Sequence, residues 1–82
     1  MGYQARKDEV WNKAAKVRGK DPDLYREDDL GNLMFYRSYG KATPMGWEID
    51  HLKARSKGGT DHLNNLRPLN TSANRSKGNR KK

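Results

Sequence analysis

Apolar residues in this chain come in short, well-separated groups, and their spacing changes along its length. In the first segment Tyr3, Val10, Ala14 and Val17 fall on one helical face, with Trp11 beside them. Gly19 and the Asp21-Pro22 pair interrupt that pattern. A helix is therefore expected over residues 5–18, with a basic outer side and Trp11 packed in the core. Residues 21–32 are polar and turn-rich. Gly31-Asn32 is a hairpin turn signal, joining a short strand near Leu24-Tyr25-Arg26 to one over residues 33–36. Tyr36, Tyr39 and Trp47 are expected to build a small core around that hairpin, and Gly40, Pro44 and Gly46 mark a loop. Trp47–His51 reads as a strand and residues 57–60 as a loop. Residues 66–69 read as a second strand, where Pro68 is tolerable only at an edge or bulge. Asn70 suits the N-cap of a helix over 71–77, with Gly78 at the position just beyond it. The pattern is α+β: a helix and hairpin, then strand, long loop, strand and helix, without an internal repeat.

Composition makes this a thin core. Leu, Val, Ile and Phe together supply 11 of 82 residues, below the ~20% at which high net charge usually means disorder. The length suits one domain, 1–82, divided into a scaffold (1–46), a compact unit (47–78) and a basic tail (79–82). A domain of this size usually leans on a staple or a partner. There are no cysteines, so disulfides and thiolate zinc sites are excluded. No apolar run is long enough for a membrane span. The N-terminus has no signal-peptide pattern, and Arg6 stands where a myristoylation signal wants Ser or Thr. A cytoplasmic protein is expected.

Lys and Arg number 18 against 10 Asp and Glu, a net charge of +8. The excess lies at both ends: residues 1–20 carry +4 and residues 61–82 carry +5, whereas residues 21–40 carry −3. A basic surface of this size suits a phosphate backbone. The acidic stretch is expected to lie in the scaffold, away from any phosphate site. For Arg80-Lys81-Lys82 a solvated tail is the simpler reading.

Four spaced elements carry the chemistry: Trp47-Glu48-Ile49-Asp50-His51, Ser56-Lys57-Gly58-Gly59, Asn64-Asn65-Leu66-Arg67-Pro68-Leu69 and Asn74-Arg75-Ser76-Lys77-Gly78. His51 and Asn65 are 14 positions apart, and Asn65 and Asn74 nine. The string resembles the HNH endonuclease family, tightly over residues 47–78. Ser38-Tyr39-Gly40-Lys41 and the Pro44-Met45-Gly46 leading into Trp47 also look like compact phage and bacterial members. The resemblance implies a ββα-metal (His-Me finger) unit, in which two antiparallel strands and a helix hold one divalent metal. This agrees with the strand-loop-strand-helix order read from pattern alone.

The resemblance also implies roles. His51 matches the general base; an imidazole titrating near neutrality can take a proton from water. Asp50 and Asn74 match the metal ligands. Their hard oxygen donors suit Mg²⁺ or Mn²⁺, completed by water and phosphate oxygens. Toxin-type relatives place a further His where this chain has Gly78, which argues against zinc or nickel as the working ion. Asn65 matches the orienting residue, its amide bonding backbone across the long loop; Asn64 is the neighbouring alternative. Arg75 and Lys77 are expected on the metal-bearing helix beside Asn74, and Lys53, Arg55 and Lys57 on the loop after His51, all as phosphate contacts. His62 matches nothing and reads as a surface residue. Gly58-Gly59 reads as a plain flexible turn, not a phosphate cradle. Without a zinc knuckle, Trp47, Ile49, Leu52, Leu63, Leu66 and Leu69 are expected to hold the unit together, backed by the N-terminal helix.

The function expected is metal-dependent hydrolysis of double-stranded DNA, nicking with weak sequence preference. The alternatives are a non-catalytic basic nucleic-acid-binding module, or a nuclease for RNA or structured junctions. A homodimer, or a larger phage or bacterial protein that supplies targeting, is compatible with the sequence.

Overall fold

The structure is a computed structural model that describes residues 2–79, with side chains from Arg6 to Arg75. Tyr3 and Lys77 have side chains outside the described residues, as has the whole of the Arg80-Lys81-Lys82 tail. Helix α1 (Gly2–Trp11) leads to a three-stranded antiparallel sheet in sequence order, β1 (Ala15–Lys16), β2 (Tyr25–Glu27) and β3 (Leu33–Phe35). A second antiparallel pair, β4 (Trp47–His51) and β5 (Leu66–Asn70), is followed by α2 (Thr71–Asn79). The α+β class and the hairpin-then-helix order match the expectation.

The first helix does not. It ends at Trp11, seven residues short of the expected stop, and residues 15–16 pair with β2 instead. Successive i+3 turns, Lys13 N–H to Val10 O and Ala14 N–H to Trp11 O, wind it down. Arg26 then holds the turn beyond the helix. Its Nη1 donates to the carbonyls of Asn12 (3.2 Å) and Ala14 (3.1 Å), and its Nε to Pro22 O (2.8 Å). Ending the helix here lets Val10, Trp11 and Ala14 all enter one core with Met34, Trp47 and Leu66. Helical spacing alone places Val17 on that face too, but the turn releases it.

Trp47 is fully buried at the centre of the aromatic group. Its ring lies 4.9 Å from that of Trp11 and 4.8 Å from that of Tyr39, and its Nε1 donates to Tyr36 O. Burial of each such ring contributes about 2–3 kcal/mol, which matters in a chain with so few aliphatics. Leu66 and Leu69 are buried and Ile49 partly so, as expected, but Leu52 and Leu63 are exposed. Both lie in the segment between β4 and β5, which follows the surface and is held by polar bonds.

Residues 47–51 pair with 66–70 in regular register, so Trp47 faces Asn70, Asp50 faces Arg67 and His51 faces Leu66. Pro68 opposes Ile49 and is tolerated because β5 pairs on one side only. Asn70 caps α2 as expected, its Oδ1 accepting from the amides of Ser72 (2.9 Å) and Ala73 (3.3 Å). Its Nδ2 donates to Leu33 O and Pro44 O, tying the two sheets together. Gly78 lies within α2, not beyond its end.

Candidate active site at the end of the second hairpin

Residues alternate faces along β4. Glu48 and Asp50 share one face; Ile49 and His51 share the other. The expected site residues therefore fall into two groups that meet where β4 ends, at the consecutive pair Asp50 and His51.

On the first face, Asn74 reaches across from α2, and its Nδ2 donates to Glu48 Oε2 at 2.6 Å. A carboxylate can only accept, so the amide must present its nitrogen to Glu48 and turn its oxygen elsewhere. Asp50 Oδ2 accepts from Arg67 Nε at 2.9 Å, and Arg67 Nη1 also binds Asp29, 3.0 Å from its Oδ2. Burial pulls the Arg67 guanidinium down, but its bonds to Asp50 and Asp29 outweigh that and leave it above its ordinary value. The acidic stretch is thus not remote from the site: Asp29 touches it through Arg67. The register explains why, since Arg67 stands directly opposite Asp50.

On the second face, His51 lines a cleft of about 420 Å³ with Arg6, Tyr39, Ile49, Arg55, Asp61 and Leu66. Its Nε2 lies 2.8 Å from Asp61 Oδ1. That hydrogen bond, helped by Arg55 and Arg6, holds the Asp61 carboxyl below the ordinary aspartate range despite the opposing effect of burial. Arg55 Nη1 is 3.9 Å from Asp61 Oδ2.

Asn65 spans the loop between the strands. Its Oδ1 accepts from Lys53 N–H (2.8 Å), while its Nδ2 donates to the carbonyls of Lys53 (3.1 Å) and Thr60 (2.7 Å). Asn64 is exposed. The glycine pair in this loop is shaped by packing. Gly58 has φ +89°, and a Cβ on Gly59 would lie 1.8 Å from Lys53 O. It is a closed turn, with Gly58 and Gly59 N–H bonded back to Arg55 O and Ala54 O. Lys53, Arg55, Lys57, His62 and Arg75 are exposed.

A sequence model of the HNH endonuclease family matches residues 37–80, more than half of the chain. The chain belongs to the HNH endonuclease family. Neither a curated protein nor a solved structure matches it. Membership carries a nuclease-type function on a nucleic-acid substrate, and HNH nucleases typically use a divalent metal.

The donors on the first face of this HNH protein fit such an ion. The Asp50 carboxylate and the Asn74 amide oxygen are hard donors, as is the Glu48 carboxylate two residues from Asp50. Among the described residues no three His, Cys, Asp or Glu side chains gather as a cage. Mg²⁺ commonly takes only one or two carboxylates, with water and substrate phosphates completing its shell.

Arg6, Glu48, Asp61 and Arg67 are site neighbours that sequence reading misses. Glu48 was detectable, since period two puts it beside Asp50. Arg67 needs the strand register, and Arg6 and Asp61 need the tertiary fold.

Proposed function

We propose that this HNH protein nicks double-stranded DNA by hydrolysis, leaving 5′-phosphate and 3′-hydroxyl ends. The observation that carries this reading is His51 set in a cleft between Arg6 and Arg55, at the end of the strand that also carries Asp50. In an in-line displacement the attacking water and the leaving oxygen lie on opposite sides of phosphorus. Consecutive strand residues face opposite ways, which suits a base on one side and a metal ligand on the other.

His51 takes a proton from the attacking water. The water oxygen bonds to phosphorus as the bond to the 3′ oxygen breaks, and that oxygen is protonated from solvent. Asp50 and Asn74 would hold one Mg²⁺ or Mn²⁺. The bound ion supplies positive charge against the phosphate oxygens and the leaving group as negative charge develops there. Asn65 keeps the loop closed beside His51. Arg6 and Arg55 grip the phosphate, with Lys53, Lys57 and Arg75 on its neighbours. Sequence preference is weak for the protein acting alone, because the described residues include no separate groove-reading element.

The test is supercoiled plasmid with Mg²⁺ or Mn²⁺, with and without chelator, beside His51→Ala. Metal-dependent conversion to the nicked circle, lost in His51→Ala while DNA binding remains, is expected. Cutting that survives the substitution would overturn the assignment. Binding without cutting by the unaltered protein would favour the non-catalytic module, and cutting of RNA or junctions alone would move the substrate.

A further inference from the structure

We propose that Asp61 is the positioning residue for His51, fixing which ring nitrogen acts as the base. The proposal rests on the nuclease reading above and names an additional residue within the same site.

The geometry begins with the 2.8 Å bond between His51 Nε2 and Asp61 Oδ1. Asp61 is ionised at neutral pH, and an ionised carboxylate has no proton to give. The hydrogen in this bond therefore sits on Nε2, and the lone pair is on Nδ1. Nδ1 is the atom that takes the proton from water.

Asp61 lies in a long surface loop and 59% of its side chain is exposed, so its place needs an explanation. The loop supplies one. Asn65 ties Thr60 O and both backbone groups of Lys53 to one amide, closing the loop immediately before Asp61. Helix α1 and the turn after it hold the same stretch from the other side. Arg6 Nη2 donates to the Asp61 carbonyl, and Lys13 Nζ donates to Leu63 O at 2.8 Å and to Leu66 O. The stretch from Thr60 to Leu66 is thus anchored at both ends and at Asp61 itself. This also gives the N-terminal helix a part in the site: it holds the carboxylate that holds the base.

The competing role for the same contact is a latch, with Asp61 occupying the place of the incoming phosphate between Arg6 and Arg55. The two roles predict opposite kinetics. Single-turnover cleavage and fluorescence-anisotropy DNA binding are to be measured for the unaltered protein, Asp61→Ala, Asp61→Glu and His51→Ala. As a positioning residue, Asp61→Ala lowers kcat about tenfold or more while DNA affinity is unchanged or tighter, and Asp61→Glu recovers part of the rate. Cleavage by Asp61→Ala that equals or exceeds that of the unaltered protein, with His51→Ala inactive, overturns the proposal and leaves the nuclease reading standing. No cutting by the unaltered protein removes both.

Long-range proton–nitrogen NMR of the imidazole gives a readout independent of turnover. The neutral His51 ring is expected as the Nε2–H form, with a Hε2 resonance that Asp61→Ala loses. A ring protonated on Nδ1 overturns the assignment.

Discussion

Asp28 and Asp29 are adjacent carboxylates whose substitutions should cost very different amounts. Asp28 is 3% exposed, and its oxygens accept from the amides of Leu30, Asn32 and Asn70 at 2.8–3.0 Å. Asp29 is exposed and makes an ion pair with Arg67. Removing an acceptor from buried donors costs about 1–3 kcal/mol for each orphan, whereas an exposed pair contributes about 0–1 kcal/mol. Asp28→Ala should therefore lower stability by about 3 kcal/mol and Tm by more than about 10 °C. Asp29→Ala should stay within about 1 kcal/mol. Urea and thermal melts of the two variants check this; equal losses would mean that Asp28 is not the hub joining the first hairpin to β5.

At the scale of elements, the loop between β4 and β5 is the part on which the proposed chemistry depends, and it is held by polar bonds. It exposes Leu52 and Leu63 and is held by Asn65, Arg6 and Lys13. Gly59 is where that arrangement leaves no room. An added methyl group meets Lys53 O at 1.8 Å, and that carbonyl is also an acceptor for Asn65. Gly59→Ala should shift the carbonyl, break the Asn65 clamp and reduce cleavage at least about tenfold. Gly31 is the control: it has φ +83° but open space around it. Gly31→Ala should cost about 1–2 kcal/mol of backbone strain and leave the rate per folded molecule unchanged. Plasmid-nicking rates and melts on both variants separate the two effects.

For the whole molecule, the uneven charge is an arrangement in space. Arg6 from the basic N-terminal stretch reaches the His51 cleft, with Arg55 and Asp61, while Asp29 and Arg67 connect the acidic stretch to Asp50. The basic N-terminal stretch and the acidic stretch thus both reach one site. Each phosphate contact releases counterions, so log K for DNA should fall with log[salt] with a slope of about −0.9 per contact. If Arg6, Lys53, Arg55, Lys57 and Arg75 all engage phosphates, the slope is about −4.5. Arg75→Ala should reduce it by about 1, uniformly across sequences. Fluorescence anisotropy over a salt series checks both values, and a flat response would contradict a phosphate-led interface.

The sequence by itself determined the elements whose reasons are local. Gly31-Asn32 turns a hairpin, Asn70 caps a helix, and Trp47–His51 alternates as a strand, because turn chemistry, capping and period-two burial act over a few residues. The spacing of Asp50, His51, Asn65 and Asn74 likewise carried the family. The end of α1 was not legible, because the turn that follows it is held by Arg26, which acts from 12 to 14 positions away. Nor was the company each site residue keeps. Glu48 with Asn74, Arg67 with Asp50, and Asp61 with His51 are polar pairings across 26, 17 and 10 positions. Such pairings leave no periodic trace in a sequence. Strand register and loop closure bring them together, so only the tertiary structure decided them.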